Sequence, residues 1–209
     1  YDVGDSRAPF TIQSVSKAFV FALALEMLGA EQVEEFVGVE PSGEAFNSIR
    51  LNAKNQPFNP MVNAGAIACT GLIYKMKDAG AFEAIHDMLG RFAGRRLAVD
   101  EAVHASESAT GDRNRAIGWM LRNYGIVKDD VNAVLEAYFR QCEVLVTARD
   151  LAVMAATLAN NGVNPVTGER VIKAVNIPYI LSAMMMAGLY DGSGGWAWKV
   201  GLPAKSGVG

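Results

Sequence analysis

The sequence is poor in the residues that build disulfide frameworks and metal sites, with two cysteines and two histidines among 209 residues. Cys69 and Cys142 are too few for the framework of a small secreted domain, which favours a reducing compartment. His86 and His104 stand far from both cysteines, so these four residues show no metal-ligand spacing. The sequence therefore predicts neither a disulfide scaffold nor a metal centre.

Positive charge and long apolar runs are also lacking. Lysine and arginine number 19 against 22 aspartate and glutamate residues, which gives a formal net charge of −3. Such a chain offers no basic field to nucleic acid, and we expect no nucleic-acid partner. The most apolar run, residues 18–25, stops at Glu26 and is far shorter than a membrane span, so we expect no membrane insertion.

The residues that are present suffice for a sizeable core. Hydrophobic residues make up 51% of the sequence and charged residues 20%, a balance that excludes a disordered chain. The length is typical of one domain, and no repeat, low-complexity tract or linker divides it. The first residue is Tyr1, and Gly209 directly follows a strand-like run. We therefore expect residues 1–209 to be a single domain that is incomplete at both ends.

Helices dominate the predicted secondary structure. Residues 14–28 are apolar on nearly every face after Lys17, which predicts a helix in the middle of the domain. The pair Asn59-Pro60 is a typical helix start, and this helix is expected to run through Asn63 towards Tyr74. Further helices are predicted at 81–93, at 112–124, at 130–142, from Thr147 to about Asn161, and at about 174–187.

Strands are expected to be few and to lie near the two ends of the chain. Strand-like runs occur at 9–12, 171–172 and 196–200. Glycine and asparagine cluster at 160–168 and 191–195, which predicts turns there. The sequence thus indicates one helix-rich domain.

The first candidate for chemistry is Ser14-Val15-Ser16-Lys17. Ser14 and Lys17 stand three residues apart, so on a helix they share one face and the amine reaches the hydroxyl. A serine hydroxyl is a weak nucleophile until a base takes its proton, and a lysine desolvated by an apolar helix has the lowered pKa that this requires. The spacing alone is common, and the competing interpretation is a surface lysine on the first turn of a helix.

The second candidate is Lys205-Ser206-Gly207. Lys-Thr-Gly and its variants line the active site of penicillin-recognising serine enzymes on a strand, and those enzymes also carry Ser-x-x-Lys. Both motifs occur here in the expected order, whereas the third element, Ser-Asp-Asn, is absent. The pair therefore favours that fold without β-lactam activity. A Ser-His-Asp or Cys-His pairing has no support, because the sequence also lacks Gly-x-Ser-x-Gly.

Longer segments carry a more specific pattern and together span nearly the whole chain. They are PFTIQSVSK (9–17), EPSGEAFNS (40–48), PFNPMVNAGAI (57–67), SESATGDRNRAIG (106–118), AYFRQC (137–142), MAATLANNG (154–162), NPVTGERV (164–171), GLYDGSG (188–194) and GLPAKSGVG (201–209). In these segments the sequence resembles one family, the serine-dependent glutaminases of bacteria and animal mitochondria.

The resemblance implies a fold and a reaction. The expected fold is α/β and helix-rich, like that of serine β-lactamases and penicillin-binding proteins, with the terminal strands of the sheet missing from this chain. The expected reaction is hydrolysis of L-glutamine to L-glutamate and ammonia through a covalent γ-glutamyl-serine intermediate. Ser14 is expected to be the nucleophile, Lys17 the group that activates it, and Tyr190 a proton shuttle beside it. No cofactor and no metal are implied.

The same resemblance implies further substrate-binding residues. Glu107 is expected to supply a carboxylate to the α-ammonium group of glutamine, and Asn63, Asn114 and Tyr138 to donate hydrogen bonds to its other polar atoms. Glu107 and Asn114 lie close together in the sequence, around the segment TGDRN (110–114). We therefore expect one loop that leads into a helix to present both side chains. Taken one at a time, these residues also fit other roles. Asn63 fits a partner for the backbone groups at a helix start, Glu107 a solvated surface acid, and Tyr138 a core aromatic.

An oxyanion hole is also implied, formed by the backbone N–H groups of Val208 and Ser14. Ser14 and Tyr190 are expected to contact the substrate as well as to take part in catalysis. Because the strands that follow KSGVG are expected to be missing, residues 1–209 alone are expected to be poorly soluble or nearly inactive.

Two other functions stay open at this point. One is a penicillin-recognising serine hydrolase, which the missing Ser-Asp-Asn element disfavours. The other is a catalytically impaired homologue that binds amino acids, which the intact Ser14, Lys17 and Tyr190 disfavour. The resemblance also implies a homo-oligomer, either a dimer or a tetramer. A bacterial cytoplasmic location is expected, with a mitochondrial one as the alternative.

Overall fold

Helices form most of the structure, a computed structural model that describes residues 1–208. In that range the strands are β1 (Phe10–Thr11), β2 (Ala98–Val99) and β3 (Val144–Val146). The helices are α1 (Ser16–Leu28), α2 (Ala30–Glu34), α3 (Asn63–Lys77), α4 (Ala81–Ala93), α5 (Glu101–Thr110), α6 (Asp112–Asn123), α7 (Val131–Cys142), α8 (Ala148–Ala159), α9 (Ile177–Ala187) and α10 (Ser193–Val200). Within residues 1–208, none of these helices combines the length and the apolar character needed to cross a bilayer.

Helix α1 lies at the centre of the molecule because its sequence has no polar face after Lys17. Every residue from Ser16 to Leu25 is buried. The helices α2, α3, α4 and α9 pack around it. Gly29 ends the helix with a φ of 81°, which glycine adopts without strain. The predicted central position of this helix is thereby confirmed.

The sheet is small and antiparallel, with β3 between β1 and β2. Phe10 is paired with Val146 across the first pair of strands, which confirms the strand predicted at 9–12. The sheet also holds the chain that follows β1, because the Ile12 N–H donates to the carbonyl of Val144 at 2.8 Å. The turn that carries Ser14 begins directly after this hydrogen bond.

Most of the predicted helices are confirmed. The prediction at 81–93 coincides with α4, and those at 112–124 and 130–142 nearly coincide with α6 and α7. Helix α8 begins with the predicted capping box, in which Thr147 and Asp150 each accept a hydrogen bond from the other's backbone N–H. These helices combine an apolar face with local cap chemistry, and both are visible in a sequence.

Two predicted strands and one predicted turn are wrong. Residues 196–200 lie in α10, and residues 191–195 belong to a 3-10 turn and the start of that helix. Residues 171–172 form no strand, and the nearest strand-like pairing is a single bridge between Val163 and Arg170. In such short runs, aromatic and β-branched residues do not distinguish strand from helix. The strands within residues 1–208 are therefore not concentrated near the chain ends.

Helix α5 includes Glu107, which the sequence predicts to lie in a loop, and no helix is predicted for the rest of this segment. Its N-terminus is capped by Asp100, whose carboxylate accepts hydrogen bonds from the N–H groups of Ala102 and Val103. None of the residues of α5 is buried. The helix therefore has no strong apolar face of the kind that a sequence pattern displays.

The start of α3 also differs from the prediction, since the helix begins at Asn63 and not at Asn59-Pro60. The Asn59 side chain instead accepts a hydrogen bond from the N–H of Met61 and forms a local turn. Gly65 lies against this turn so closely that a Cβ atom there would stand 1.9 Å from the Asn59 carbonyl oxygen. This close approach fixes the first turn of α3, where Asn63 lies.

We predict that Gly65→Ala destabilises the protein by at least about 2 kcal/mol, because the added methyl group has no space beside the Asn59 carbonyl. Gly80→Ala is the matched control, since a Cβ atom at Gly80 meets nothing within 4 Å. Its effect should stay within about 0.5 kcal/mol. Denaturant unfolding of both variants measures the difference. Equal stability of the two variants would show that the contact at Gly65 is unimportant.

Candidate active site

Ser14 and Lys17 are brought together where the chain enters the central helix. Ser14 lies in a 3-10 turn over Gln13–Val15, and Lys17 lies in the first turn of α1. The Lys17 Nζ donates a hydrogen bond to the Ser14 Oγ at 2.9 Å. Lys17 is only 1% exposed. Burial lowers the pKa of Lys17 to about 8, while the neighbouring Cys142 acts in the opposite direction.

Two asparagines continue the hydrogen-bonded chain that begins at Ser14. The Lys17 Nζ also donates to the Asn63 Oδ1 at 2.6 Å, and the Asn63 Nδ2 donates to the Asn114 Oδ1 at 2.9 Å. Because a protonated lysine can only donate, the oxygen of the Asn63 amide faces it and the amide nitrogen faces Asn114. Residues from α1, α3 and α6 thus orient one another at this point.

Tyr190 lies between Ser14 and a second lysine. The Lys205 Nζ donates to the Tyr190 Oη at 2.9 Å, and the phenol lies close enough to Ser14 for the serine to act on its pKa. Burial raises the pKa of Tyr190, and Ser14 opposes this rise. Burial also lowers the pKa of Lys205 to about 6, and the charge of Lys17 lowers it further. The phenol therefore lies between the serine hydroxyl and an amine that is neutral at neutral pH.

The backbone at this site is unusual in two places. Gln13 has a φ of 47° and Tyr190 a φ of 56°, in the left-handed region of the backbone that residues other than glycine rarely adopt. Tyr190 is held there by Ser193, whose hydroxyl donates to the Tyr190 carbonyl at 2.8 Å. Gln13 is held by its side chain, whose Nε2 donates to the Glu107 Oε1 at 2.7 Å. Both conformations therefore rest on specific hydrogen bonds.

Glu107 and Tyr138 face the same site from α5 and α7. The Glu107 carboxylate contacts Gln13, which is the residue that precedes Ser14 in the sequence. Tyr138 is 3% exposed, and its burial raises its pKa well above the usual value, with Cys142, Tyr190 and Glu107 adding to the rise. Glu107 and Asn114 lie on two successive helices, α5 and α6, so the predicted single loop is wrong.

Val208 lies at the edge of the described residues, and its side chain is exposed. Its neighbour Gly207 packs against the turn of Ser14, since a Cβ atom there would stand 2.9 Å from the Val15 Cγ2. The motif Lys205-Ser206-Gly207 lies in no strand of the described structure, although the Ser206 N–H donates to the carbonyl of Gly188. The oxyanion-hole role of Val208 stays a prediction.

The structure adds two residues to those that the sequence assigns to the site. Gln13 gave no signal, because glutamine has no special preference for the left-handed backbone that it adopts here. The sequence shows Lys205 only as part of a motif, whereas its contact with Tyr190 brings it into the site. Within residues 1–208, no three His, Cys, Asp or Glu side chains are grouped so that they could hold a metal ion.

Comparison with known proteins identifies the family. A family model described as Glutaminase matches residues 1–209. The chain belongs to the glutaminase family. Glutaminase 2 and Glutaminase 1 of Bradyrhizobium diazoefficiens are each 68% identical to it over the whole chain, which covers 34% of either protein. The Glutaminase of Microcystis aeruginosa is 53% identical, and the chain covers 62% of it. The chain therefore spans about a third of the length of the first two curated relatives.

Solved glutaminase structures share the fold. The probable glutaminase ybaS is 44% identical, with a TM-score of 0.95 over 99% of this chain and 68% of that one. A probable glutaminase of Bacillus subtilis is 36% identical, with a TM-score of 0.93 over 98% of this chain and 66% of that one. The predicted fold class is thereby confirmed: these glutaminases and this chain share a helix-rich, serine β-lactamase-like architecture with a small sheet.

The buried amine leads to a prediction about stability. Lys17 has a folded-state pKa of about 8, below its ordinary value of 10.5. A lowered pKa means that the folded state binds fewer protons, so the stability present above about pH 10.5 is lost as the pH falls through about 8. We predict that Lys17→Met raises the free energy of unfolding at pH 7 by about 1–3 kcal/mol, with the loss of the Asn63 partner limiting the gain.

Denaturant unfolding of the wild type and Lys17→Met at several pH values tests this. The gain should shrink steadily as the pH rises from about 8 to about 10.5. Lys199→Met, at an exposed position near the end of α10, should show no such dependence. A variant less stable than the wild type at pH 7 would mean that the hydrogen bonds of Lys17 outweigh its desolvation.

Proposed function

We propose that this protein hydrolyses the side-chain amide of L-glutamine to L-glutamate and ammonia, through a γ-glutamyl ester on Ser14. The observation that carries the proposal is the 2.9 Å contact between the Ser14 Oγ and the amine of Lys17, a lysine that is 1% exposed. Family membership and the printed name Glutaminase of its relatives support the choice of amide and substrate.

Acylation begins with proton removal from Ser14. The unprotonated Lys17 amine, whose fraction grows as the pH approaches its pKa of about 8, accepts the proton of the Ser14 hydroxyl. The Oγ then attacks the amide carbon, and the carbonyl π electrons move to its oxygen. We assign this oxyanion to the backbone N–H groups of Ser14 and Val208, as the family resemblance implies.

Collapse of the tetrahedral intermediate requires a proton on the amide nitrogen. We assign its delivery to Tyr190, because the phenol lies close to Ser14 and accepts a hydrogen bond from the Lys205 Nζ. The nitrogen takes this proton, the C–N bond breaks, ammonia leaves, and the γ-glutamyl ester remains. Tyr190 regains a proton from Lys17, which took it from Ser14. Water then attacks the ester, gives a proton to the same base, and releases glutamate as the proton returns to the Ser14 Oγ.

The amino-acid end of the substrate is assigned to the side chains around this centre. Glu107 offers a carboxylate to the α-ammonium group, and its contact with Gln13 holds that carboxylate beside Ser14. Tyr138 and the Asn63–Asn114 pair come from three other helices and supply neutral polar groups. Fixed geometry of this kind places the reacting atoms without an entropic penalty at the moment of reaction.

We predict that Ser14→Ala abolishes glutamine hydrolysis and leaves the fold intact, because only the attacking oxygen is lost. Ser16→Ala is the matched control on the same turn, since its hydroxyl donates to the carbonyl of Gln13 at 2.7 Å and contacts neither Lys17 nor Ser14 by a hydrogen bond, and it should retain most activity. Ammonia release measures both variants, with turnover of a chromogenic β-lactam as the test for the rival hydrolase. Near-wild-type activity in Ser14→Ala would remove Ser14 as the nucleophile.

The two residues of the pair should also behave as a unit. Lys17→Ala should be about as severe as Ser14→Ala, and the double variant should lose little more than either single one. Strongly additive losses in kcat/KM would contradict the assignment of Lys17 as the base that activates Ser14.

Glu107→Gln should weaken the recognition of the free amino group. A charge-assisted contact with an ammonium group is worth about 1.5–3 kcal/mol, so kcat/KM for glutamine should fall by roughly tenfold or more. Glutamine that is acetylated on its α-nitrogen has no such charge and should lose less. The ratio of kcat/KM for the two substrates is the measurement. A ratio unchanged from the wild type would mean that Glu107 does not contact the amino group.

A further inference from the structure

His104 bridges two carboxylates outside the set of residues assigned to catalysis. Its Nδ1 lies 2.7 Å from the Glu143 Oε2, and its Nε2 lies 3.0 Å from the Glu136 Oε1. His104 belongs to α5, Glu136 to α7, and Glu143 directly follows α7. The Glu143 side chain is 0% exposed, and its second oxygen is buried without a hydrogen-bond partner. The three side chains therefore tie α5 to α7.

The geometry of this bridge requires an additional proton. A neutral imidazole has one N–H and one unprotonated nitrogen, and a carboxylate can only accept. Both ring nitrogens face carboxylate oxygens at hydrogen-bonding distance, so two hydrogens must be shared among the three groups. Either His104 is an imidazolium, or Glu143 carries a proton that it donates to the Nδ1. Loss of that proton leaves two lone pairs facing each other.

Helix α5 depends on polar contacts of this kind. None of its residues is buried, and α7 is the helix against which it mainly packs. Glu107 lies three residues after His104, on the same side of the helix within one turn. Any loosening of α5 at His104 therefore displaces the carboxylate that faces Ser14.

We propose that His104 is a positioning residue: by bridging Glu136 and Glu143, it clamps α5 against α7, and thereby holds Glu107 in place, only while the bridge keeps its shared proton. The effect on the reaction rests on the proposed function, because it acts through the assigned contact of Glu107 with the substrate. The clamp itself is a property of the fold and is tested separately below.

The surroundings of Glu143 place the loss of the proton near neutral pH. Burial raises the pKa of Glu143 to about 7, His104 opposes the rise, and Glu107 and Glu136 add to it. Other charged groups on these two helices are engaged elsewhere: Asp100 caps α5, and Arg140 packs over Phe82 with Glu101 at 3.7 Å.

The sign of the pH effect follows from the direction of this shift. The folded-state pKa lies above the ordinary value of 4.5, so the folded protein holds a proton that the unfolded chain has released. The stability that this proton contributes is fully present below about pH 4.5 and is lost as the pH rises through about 7, and the clamp in the folded protein keeps its proton until the pH approaches 7. Recognition of the amino group of the substrate should weaken over the same interval.

Glu143→Gln is the sharpest test, measured on the full chain. The introduced amide donates to the unprotonated Nδ1 while the Nε2–H donates to Glu136, so a neutral His104 satisfies both contacts. In the wild type, KM for glutamine should rise roughly three- to tenfold between about pH 6 and about pH 8.5. The increase in kcat that deprotonation of Lys17 produces over this range should be the same in the wild type and in Glu143→Gln. In Glu143→Gln, KM should change less than about twofold over the same range.

Two histidine variants complete the experiment. His104→Ala should raise KM by more than about threefold at pH 6 and remove its pH dependence. His86→Ala is the matched control, because the Nε2 of His86 contacts only the carbonyl of Leu97 and the residue lies on α4. It should behave like the wild type. The same KM profile in the wild type and in Glu143→Gln would overturn the role of the clamp in substrate binding.

Amide hydrogen exchange over residues 101–110 provides a readout that needs no activity. After correction for base catalysis, α5 in the wild type should exchange roughly tenfold faster at about pH 8.5 than at about pH 6, whereas α5 in Glu143→Gln should not. Equal protection in both proteins would overturn the clamp. If the wild type does not hydrolyse glutamine, the proposed function fails, and hydrogen exchange still decides whether His104 holds α5.

Discussion

A lysine amine that is 1% exposed needs hydrogen-bond partners inside the protein, and the partners of Lys17 organise much of the structure around it. Ser14 supplies one oxygen from the preceding turn, and Asn63 supplies another from α3. Asn63 reaches this position because Gly65 lets the first turn of α3 approach the carbonyl of Asn59. The desolvation that makes Lys17 costly to stability is the same property that makes it a base near neutral pH.

Two lysines that share one phenol divide the proton chemistry between them. Lys17 and Lys205 both lie close to Tyr190, and the charge of Lys17 lowers the pKa of Lys205 beyond the effect of burial. Since both amines cannot easily be charged together, Lys205, with the lower pKa, is neutral at neutral pH, and Lys17 exchanges the proton with Ser14 as the pH approaches about 8. An acyl transfer removes a proton from the nucleophile and delivers one to the leaving group. It therefore requires groups that differ in their affinity for a proton.

The sequence predicts those parts of the fold and site whose signals are local. An apolar face with a cap predicts α4 and α8, and the Ser-x-x-Lys spacing brings Ser14 and Lys17 to one side of the chain. It fails where tertiary contacts decide: α5 has no buried residue, and α10 is a short aromatic run that reads equally well as a strand. Gln13 enters the site only because its contact with Glu107 holds it in a conformation that glutamine does not prefer.

The left-handed backbones of Gln13 and Tyr190 have a consequence for how the protein folds. Each costs about 1–3 kcal/mol locally. The contact that holds Tyr190 comes from Ser193, three residues away, whereas the contact that holds Gln13 comes from a distant part of the chain. For Gln13, the compensating hydrogen bond spans 94 residues of chain, so it cannot form until distant helices have already docked. The catalytic turn is therefore expected to acquire its shape late in folding. It should also be among the first parts to relax when the protein is heated, so that activity declines before the helices melt.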